Sequence, residues 1–545
     1  MRRMSAVPAL AALLLLAGCV SIPTSGDVRT EAIDSDPPEV ATITLPESPV
    51  AGQDQADILQ GFIRAGRAPQ GPYSVAREFL APGTEWNGTS RVLVTTNQSV
   101  PVPIDDDTLG ITVTVVGEVD ATGHYTEVPG LTQVLTYDFT VVDGENRISR
   151  ADPGTVLSEQ GFSRAFDAYP LYFFDTSFEY LVPDLRWFPV TRTVADRIVR
   201  ELLVGPAPWL QSSVLVSAFP QGVTGKADYE APEVNVELSG EVRAESALTQ
   251  RRMLQQLGAS LDVLGNVNEV NVAAGELDLA PSPDSPIDVS YSVGDGAVGG
   301  VDGRLGVLSS EGLVPLSKIG IRADGLESTA ASLARDRASV ALLGPVGVTL
   351  VGETGDPVPI DARGGLVAPS LDPHGFTWSV PRNDPSGLLV VDANGDQRAL
   401  PLPVDGEVIA LEVSRDGARV LLALATSNGP RVTVLGIQRD ADLLPVAFGT
   451  AYDLDVDGPV IDIAWVDGAH VAVLWADDGG SRADVLALGG PREPLGEIDG
   501  AVSIVGGNLV AGIRVLLGDG SVWRPSEAGG WRDTGLVASF LATQQ

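Results

Sequence analysis

Cysteine is almost absent from this 545-residue chain: the only one is Cys19. No disulfide can form within the chain, and no thiolate cluster is available for a soft metal. Histidine is nearly as scarce, with His124, His374 and His470 far apart in sequence and none at the i, i+4 spacing of a helical zinc motif. Lysine occurs only at Lys226 and Lys318, and 72 acidic residues outnumber 35 basic ones, giving a formal net charge of -37. Such a surface repels nucleic acid and anionic headgroups. No Gly-x-Ser-x-Gly elbow is present, and the Gly-rich stretches 303–306 and 344–347 lack the Gly-Lys-Ser/Thr ending of a phosphate loop. Beyond the first nineteen residues there is no apolar run long enough to span a bilayer.

What the chain has begins at its N-terminus. Arg2–Arg3, an apolar run from Ala6 to Ala17 and the sequence Leu16–Ala17–Gly18–Cys19 read as a secretory signal of the lipoprotein type. Cleavage between Gly18 and Cys19 would leave a thiol that carries acyl chains, and several chains on one residue anchor a soluble body far better than one. The expected location is the extracytoplasmic face of the cell membrane, with the lipid on Cys19 and no other cofactor or metal. Apolar residues make up 44% of the chain, enough for several cores, and the length calls for several domains. The Arg, Ala, Gly and Val bias matches a GC-rich, actinobacterial coding habit.

The fold class expected is multidomain. Residues 1–18 form the signal peptide, and the Pro-, Ser- and acid-rich stretch 19–52 forms a tether that could reach on the order of 100 Å. An α+β domain over 53–170 opens with an amphipathic helix at about 54–66 carrying Ile58, Leu59, Phe62 and Ile63 on one side. A short helix over 73–80 follows, then strands near 91–94, 110–116 and 131–142. A small α/β module spans 171–280, with helices at 191–203 and 244–261 and strands at 214–219, 234–238 and 267–272. Residues 281–324 read as a connector. From 325 to 545, apolar strands alternate with Asp-Gly and Gly-Gly turns in five segments, clearest at Ile409–Leu424 and Val460–Trp475. Starts some 35 to 50 residues apart suit the blades of a five- or six-bladed β-propeller. A β-sandwich is the competing all-β reading.

Chemical motifs are weak. Each histidine sits beside a turn. Asp105–Asp106–Asp107 reads as a solvated turn rather than a calcium loop, because neighbouring residues on a strand point to opposite faces. A glycosidase-like site would need two carboxylates facing each other across a propeller channel. Arg186 and Trp187, flanked by Asp184 and Pro189, are the residue types that anchor protein interfaces and are the candidate contact residues.

The order of these parts resembles the LpqB family of actinobacterial lipoproteins over nearly the whole chain. The specific pieces are Gly61–Phe62–Ile63, Tyr73–Leu80 and Val182–Pro189, while 193–272 is similar to the GerMN module. The resemblance implies no enzymatic activity. It implies a partner, the extracytoplasmic domain of an MtrB-like sensor histidine kinase of an MtrA–MtrB two-component system, and an effect on envelope homeostasis and division. The alternatives are a lipoprotein binding carbohydrate or peptidoglycan fragments through an aromatic-lined pocket, and a cell-wall hydrolase.

Overall fold

The computed structural model describes residues 46–67, 73–211, 213–279, 291–294 and 296–545. The signal peptide, the Gly18–Cys19 cleavage site and the tether up to residue 45 lie outside the described residues. Residues 46–545 form one compact unit built from three modules.

In the first module, α1 (Gln55–Gly66) starts where the Asp54 carboxylate accepts the amide of Asp57 at 2.8 Å, which caps the helix. Its apolar stripe and the short α2 (Ser74–Glu78) cover one face of a sheet. The sheet comprises β1 (Arg91–Gln98), β2 (Val102–Pro103), β3 (Thr108–Asp120), β4 (Tyr125–Val142), β5 (Glu145–Arg150) and β6 (Thr155–Ser158). Its order is β5-β4-β3-β1-β6, with β2 on β3 and only β1–β6 parallel. Buried Ile58, Leu59 and Phe62 meet Ile111, Leu135 and Tyr137 in this core. On the other face α3 (Glu159–Ala165) covers only the end near β1 and β6, where Phe162 packs with Val92, Val94 and Tyr125.

The second module begins inside what reads as the first: β7 runs from Phe166 to Asp175 and pairs with β8 (Leu181–Pro189). Then come α4 (Val194–Val204), β9 (Leu215–Val216), β10 (Gly225–Glu230), β11 (Glu233–Leu238), α5 (Ala247–Asp262), β12 (Glu269–Ala274) and β13 (Leu277–Leu279). The sheets are β8-β7-β9 and β10-β11-β12-β13, with one core between them and the two helices. Two boundaries differ from expectation. Ser246 caps the Thr249 amide at 3.1 Å and so starts α5 later than residue 244, leaving Leu248 exposed. The stretch 214–219 is strand only at Leu215–Val216, because its amides are partly satisfied elsewhere: Ala218 N–H donates to the buried Gln256 side chain at 2.8 Å.

The third module is a propeller with six blades among the described residues. Blades II to VI are four-stranded, within 330–361, 370–399, 407–454, 460–497 and 501–537. Blade I corrects the connector reading of 281–324. Three of its strands, β14 (Val298–Val301), β15 (Arg304–Ser309) and β16 (Gly312–Pro315), fall within that stretch, and its fourth is the C-terminal strand Phe540–Gln544. The C-terminal strand also pairs in parallel with Ala331–Leu333 of blade II, so the two blades share an eight-stranded sheet. Closing the ring this way satisfies both exposed edges. Gly300 lacks a Cβ where one would lie 2.1 Å from the Phe540 ring, which lets this strand seat.

Candidate functional site

The residues singled out by sequence converge on the junction of the three modules. The tip of the β3–β4 hairpin, strand β8 and the loop around residue 489 in blade V meet there. Trp187 N–H donates to the carbonyl of Gly123 at 2.7 Å, and its indole Nε1 donates to that of Gly489 at 2.8 Å. The ring lies 5.0 Å from Phe162 and 6.1 Å from Tyr125. Arg186 is 1% exposed. Its guanidinium pairs with the buried Asp184 at 2.6 Å and donates to the carbonyls of Thr122 (3.1 Å) and Gly205 (3.3 Å). Asp184 also accepts the Ala207 amide at 2.8 Å.

The expectation of Arg186 and Trp187 as an outward-facing anchor is therefore corrected. Arg186 is enclosed and Trp187 half-buried, and both hold this chain's own modules together. A buried guanidinium needs carbonyl and carboxylate partners, and residues distant in sequence supply them.

Around this core the junction carries further charge. His124 bonds Thr122 through Nδ1 at 2.8 Å, and its Nε2 lies 4.0 Å from Asp184. Burial opposes ionisation of Asp120, but hydrogen bonds from His124 and Thr122 outweigh it and hold the carboxyl well below the usual range. Burial pushes the Glu201 carboxyl up against the pull of Arg197 and Arg186. Glu127 of β4 faces Arg492 of the propeller at 3.5 Å. Trp209 stacks on Tyr452 with centroids 4.9 Å apart, and Val214 fills the space over Gly436 and Gly449. Sequence reasoning missed these last contacts, since nothing local marks either partner.

The other two histidines also sit at the seam between the second module and the propeller. His374 meets Tyr180 edge-on at 5.6 Å. His470 bonds Asp467 at 2.8 Å, next to Gly468, which packs against Pro183. No group of three or more metal-ligating side chains occurs among the described residues. Asp105, Asp106 and Asp107 form an exposed turn.

The propeller axis does not present an open carboxylate pair. Glu412 is buried on the innermost strand of blade IV, accepting from the Trp465 amide and the Gln545 side chain, both at 3.3 Å. Burial pushes its carboxyl up to about 8, partly offset by Arg415. Asp462 accepts from the Ile463 and Ile504 amides at 3.0 and 2.9 Å. Arg415 lies across one mouth of the ring, donating to the carbonyls of Trp465, Val466, Gly507 and Gln544 in three other blades. A cleft of about 890 Å³ on the outer face of β10–β13 is lined by Asp228, Asn235, Glu237 and Asn271 among others and has no aromatic wall.

One apolar surface stands out. Where β2 joins β3, Val102, Ile104 and Val134 are 55%, 56% and 57% exposed on the face that α3 leaves open. Ile104 and Val134 meet over Gly110, where a Cβ would lie 3.0 Å from one and 3.1 Å from the other. Asp105, Asp106 and Asp107 border this patch.

The described residues contain no helix long and apolar enough to cross a membrane. Sequence profiles of two families match the chain: "Lipoprotein LpqB, N-terminal domain" over residues 48–163 and "Lipoprotein LpqB beta-propeller domain" over 303–539. Among relatives named Lipoprotein LpqB, that of Cutibacterium acnes is 30% identical over 275 residues, 49% of this chain and 46% of that protein. Those of Thermobifida fusca and Streptomyces coelicolor are 26% and 27% identical; the first match covers 88% of each chain and the second 87% of this one and 86% of the other. With both ends of its described architecture matched and its full length aligned to such relatives, the chain belongs to the LpqB lipoprotein family.

Proposed function

We propose that this chain is a lipid-anchored accessory protein on the extracytoplasmic face of the cell membrane. In this reading Cys19 carries the acyl anchor, and the body binds the extracytoplasmic domain of an MtrB-like sensor kinase. Binding modulates the kinase of an MtrA–MtrB-type system and so affects envelope homeostasis and division. The observation that carries the reading is the apolar patch of Val102, Ile104 and Val134 with its acidic border. Contiguous exposed aliphatics bordered by one sign of charge are the mark of a protein contact, here to a surface that pairs apolar with basic side chains. The test is calorimetric titration of this protein with the purified kinase domain. Saturable binding, weakened at least tenfold by Ile104→Asp or Val134→Asp, is expected. Binding untouched by both changes rejects the patch, and no binding rejects the kinase as partner.

A second reading, binding of a carbohydrate or peptidoglycan fragment, draws on the cleft over β10–β13, whose Asn and Asp side chains suit sugar hydroxyls. A melting temperature unmoved by muropeptides counts against it.

A further inference from the structure

Blade VI carries a row of like charges that its fold does not need. Arg524 and Arg532 face each other directly on the antiparallel strands Ser521–Pro525 and Trp531–Val537. On the other side, Val515 pairs with Trp523 and Leu516 with Val522, a register that brings Arg514 of strand Arg514–Leu517 opposite Arg524. Like charges directly opposite one another on a sheet destabilise it. This chain has twice as many acids as bases to relieve them with, yet among the described residues no carboxylate pairs with Arg524 or Arg532. Asp533, the nearest acid in sequence, turns its carboxylate to the Gly535 amide at 2.8 Å.

The three arginines line one groove of about 310 Å³, with Ala297, Leu308 and Leu536 as an apolar part of its wall. Arg514 is fixed there by donating to the carbonyls of Ala511 and Ile513 at 2.8 and 2.7 Å. Burial and the charge of Arg524 both work against its own charge. Adjacent strands are about 4.8 Å apart, so the row spans about 10 Å at the backbone. Arginine forks match phosphate oxygens two at a time. Three forks in that span suit two linked phosphate groups better than one.

We propose that this groove binds a diphosphate-bearing ligand, with Arg514, Arg524 and Arg532 holding its oxygens and Leu308 and Leu536 receiving any apolar substituent. The site is independent of the kinase contact, which lies on the first module.

The test uses the full chain in dodecyl maltoside at low salt, titrated with inorganic pyrophosphate, inorganic phosphate and geranyl diphosphate. Saturable binding of pyrophosphate is expected, at least tenfold tighter than phosphate. Arg524→Gln and Arg532→Gln should each weaken it at least tenfold. Without ligand the same substitutions should leave the melting temperature unchanged or raise it, because each removes a repulsion; a purely structural arginine would lower it. Geranyl diphosphate binding more tightly than pyrophosphate would assign the groove to a lipid-borne diphosphate, and equal affinity to a soluble one. No pyrophosphate binding, equal affinity for phosphate, or binding undiminished in both variants overturns the proposal.

Discussion

The indole Nε1 of Trp187 donates to the carbonyl of Gly489 at 2.8 Å, across 302 residues of sequence. With the Trp187 amide bonded to Gly123, one residue of the middle module touches both of its neighbours. The junction is thus a shared core and not a pair of loose linkers. Modules that bury a common aromatic and a common ion pair move as one body, so a contact made by the first module is felt by the propeller.

Trp187→Ala should destabilise the protein by about 3 kcal/mol, since it empties space against Phe162 and Tyr125. Trp187→Phe keeps most of that packing and loses the bond to Gly489, for about 1 kcal/mol. Thermal and denaturant unfolding of the two variants checks the order.

The Asp184–Arg186 pair is expected to be strongly coupled. Arg186→Met leaves Asp184 buried with only the Ala207 amide for company and should cost about 3–5 kcal/mol. Asp184→Leu alone strands the guanidinium at a similar cost. Both together should cost far less than the two summed, which a double-mutant cycle measures directly.

Glu412 makes stability depend on pH. Its carboxyl rises from an ordinary value of 4.5 to about 8 in the fold, with burial the main cause. Between those values the folded state holds a proton that the unfolded state has lost, so this contribution is full below about pH 4.5 and fades as pH rises through 8. Glu412→Gln, which cannot titrate, should flatten the decline in melting temperature between pH 5 and 8. A slope unchanged in the variant would place the titrating group elsewhere.

Ile104→Asp and Val134→Asp should leave unfolding stability within about 0.5 kcal/mol of the natural chain, because both side chains are more than half exposed. Their effect should appear in partner binding alone. A large loss of stability would mean that the patch packs against this chain itself.

Gly300→Ala should lower stability by about 1–3 kcal/mol by driving a methyl group into the Phe540 ring. Phe540→Leu in the same chain should recover part of that loss, as read from melting temperatures.

Much of this was legible in advance, for identifiable reasons. The period-3.6 stripe of Ile58, Leu59, Phe62 and Ile63 announces α1, because one face must be buried. The five apolar segments from 331 onward each fold as two adjacent strands joined at a turn, and local alternation is enough to show it. Blade I stayed hidden because Val298–Gly299–Gly300–Val301 is short and Gly-rich, and its partner strand lies at the far end of the chain. Arg186 misled for a related reason. An arginine reads as a surface residue until carbonyls from Thr122 and Gly205 are seen around it, and no local pattern reports long-range partners.

The closing strand has a consequence for how the protein is made. Ser539 bonds Gly300 across 239 residues, and the strand that follows it completes the ring. Blade I is therefore begun early and finished last. Until the final residues have been translated and exported, its innermost hydrogen-bonding edge stays unpaired, and so does the neighbouring edge of blade II. An interrupted chain cannot seal its propeller, and it offers proteases and other strands an open edge. Ring closure thus serves as a check that the whole polypeptide has arrived outside the cell.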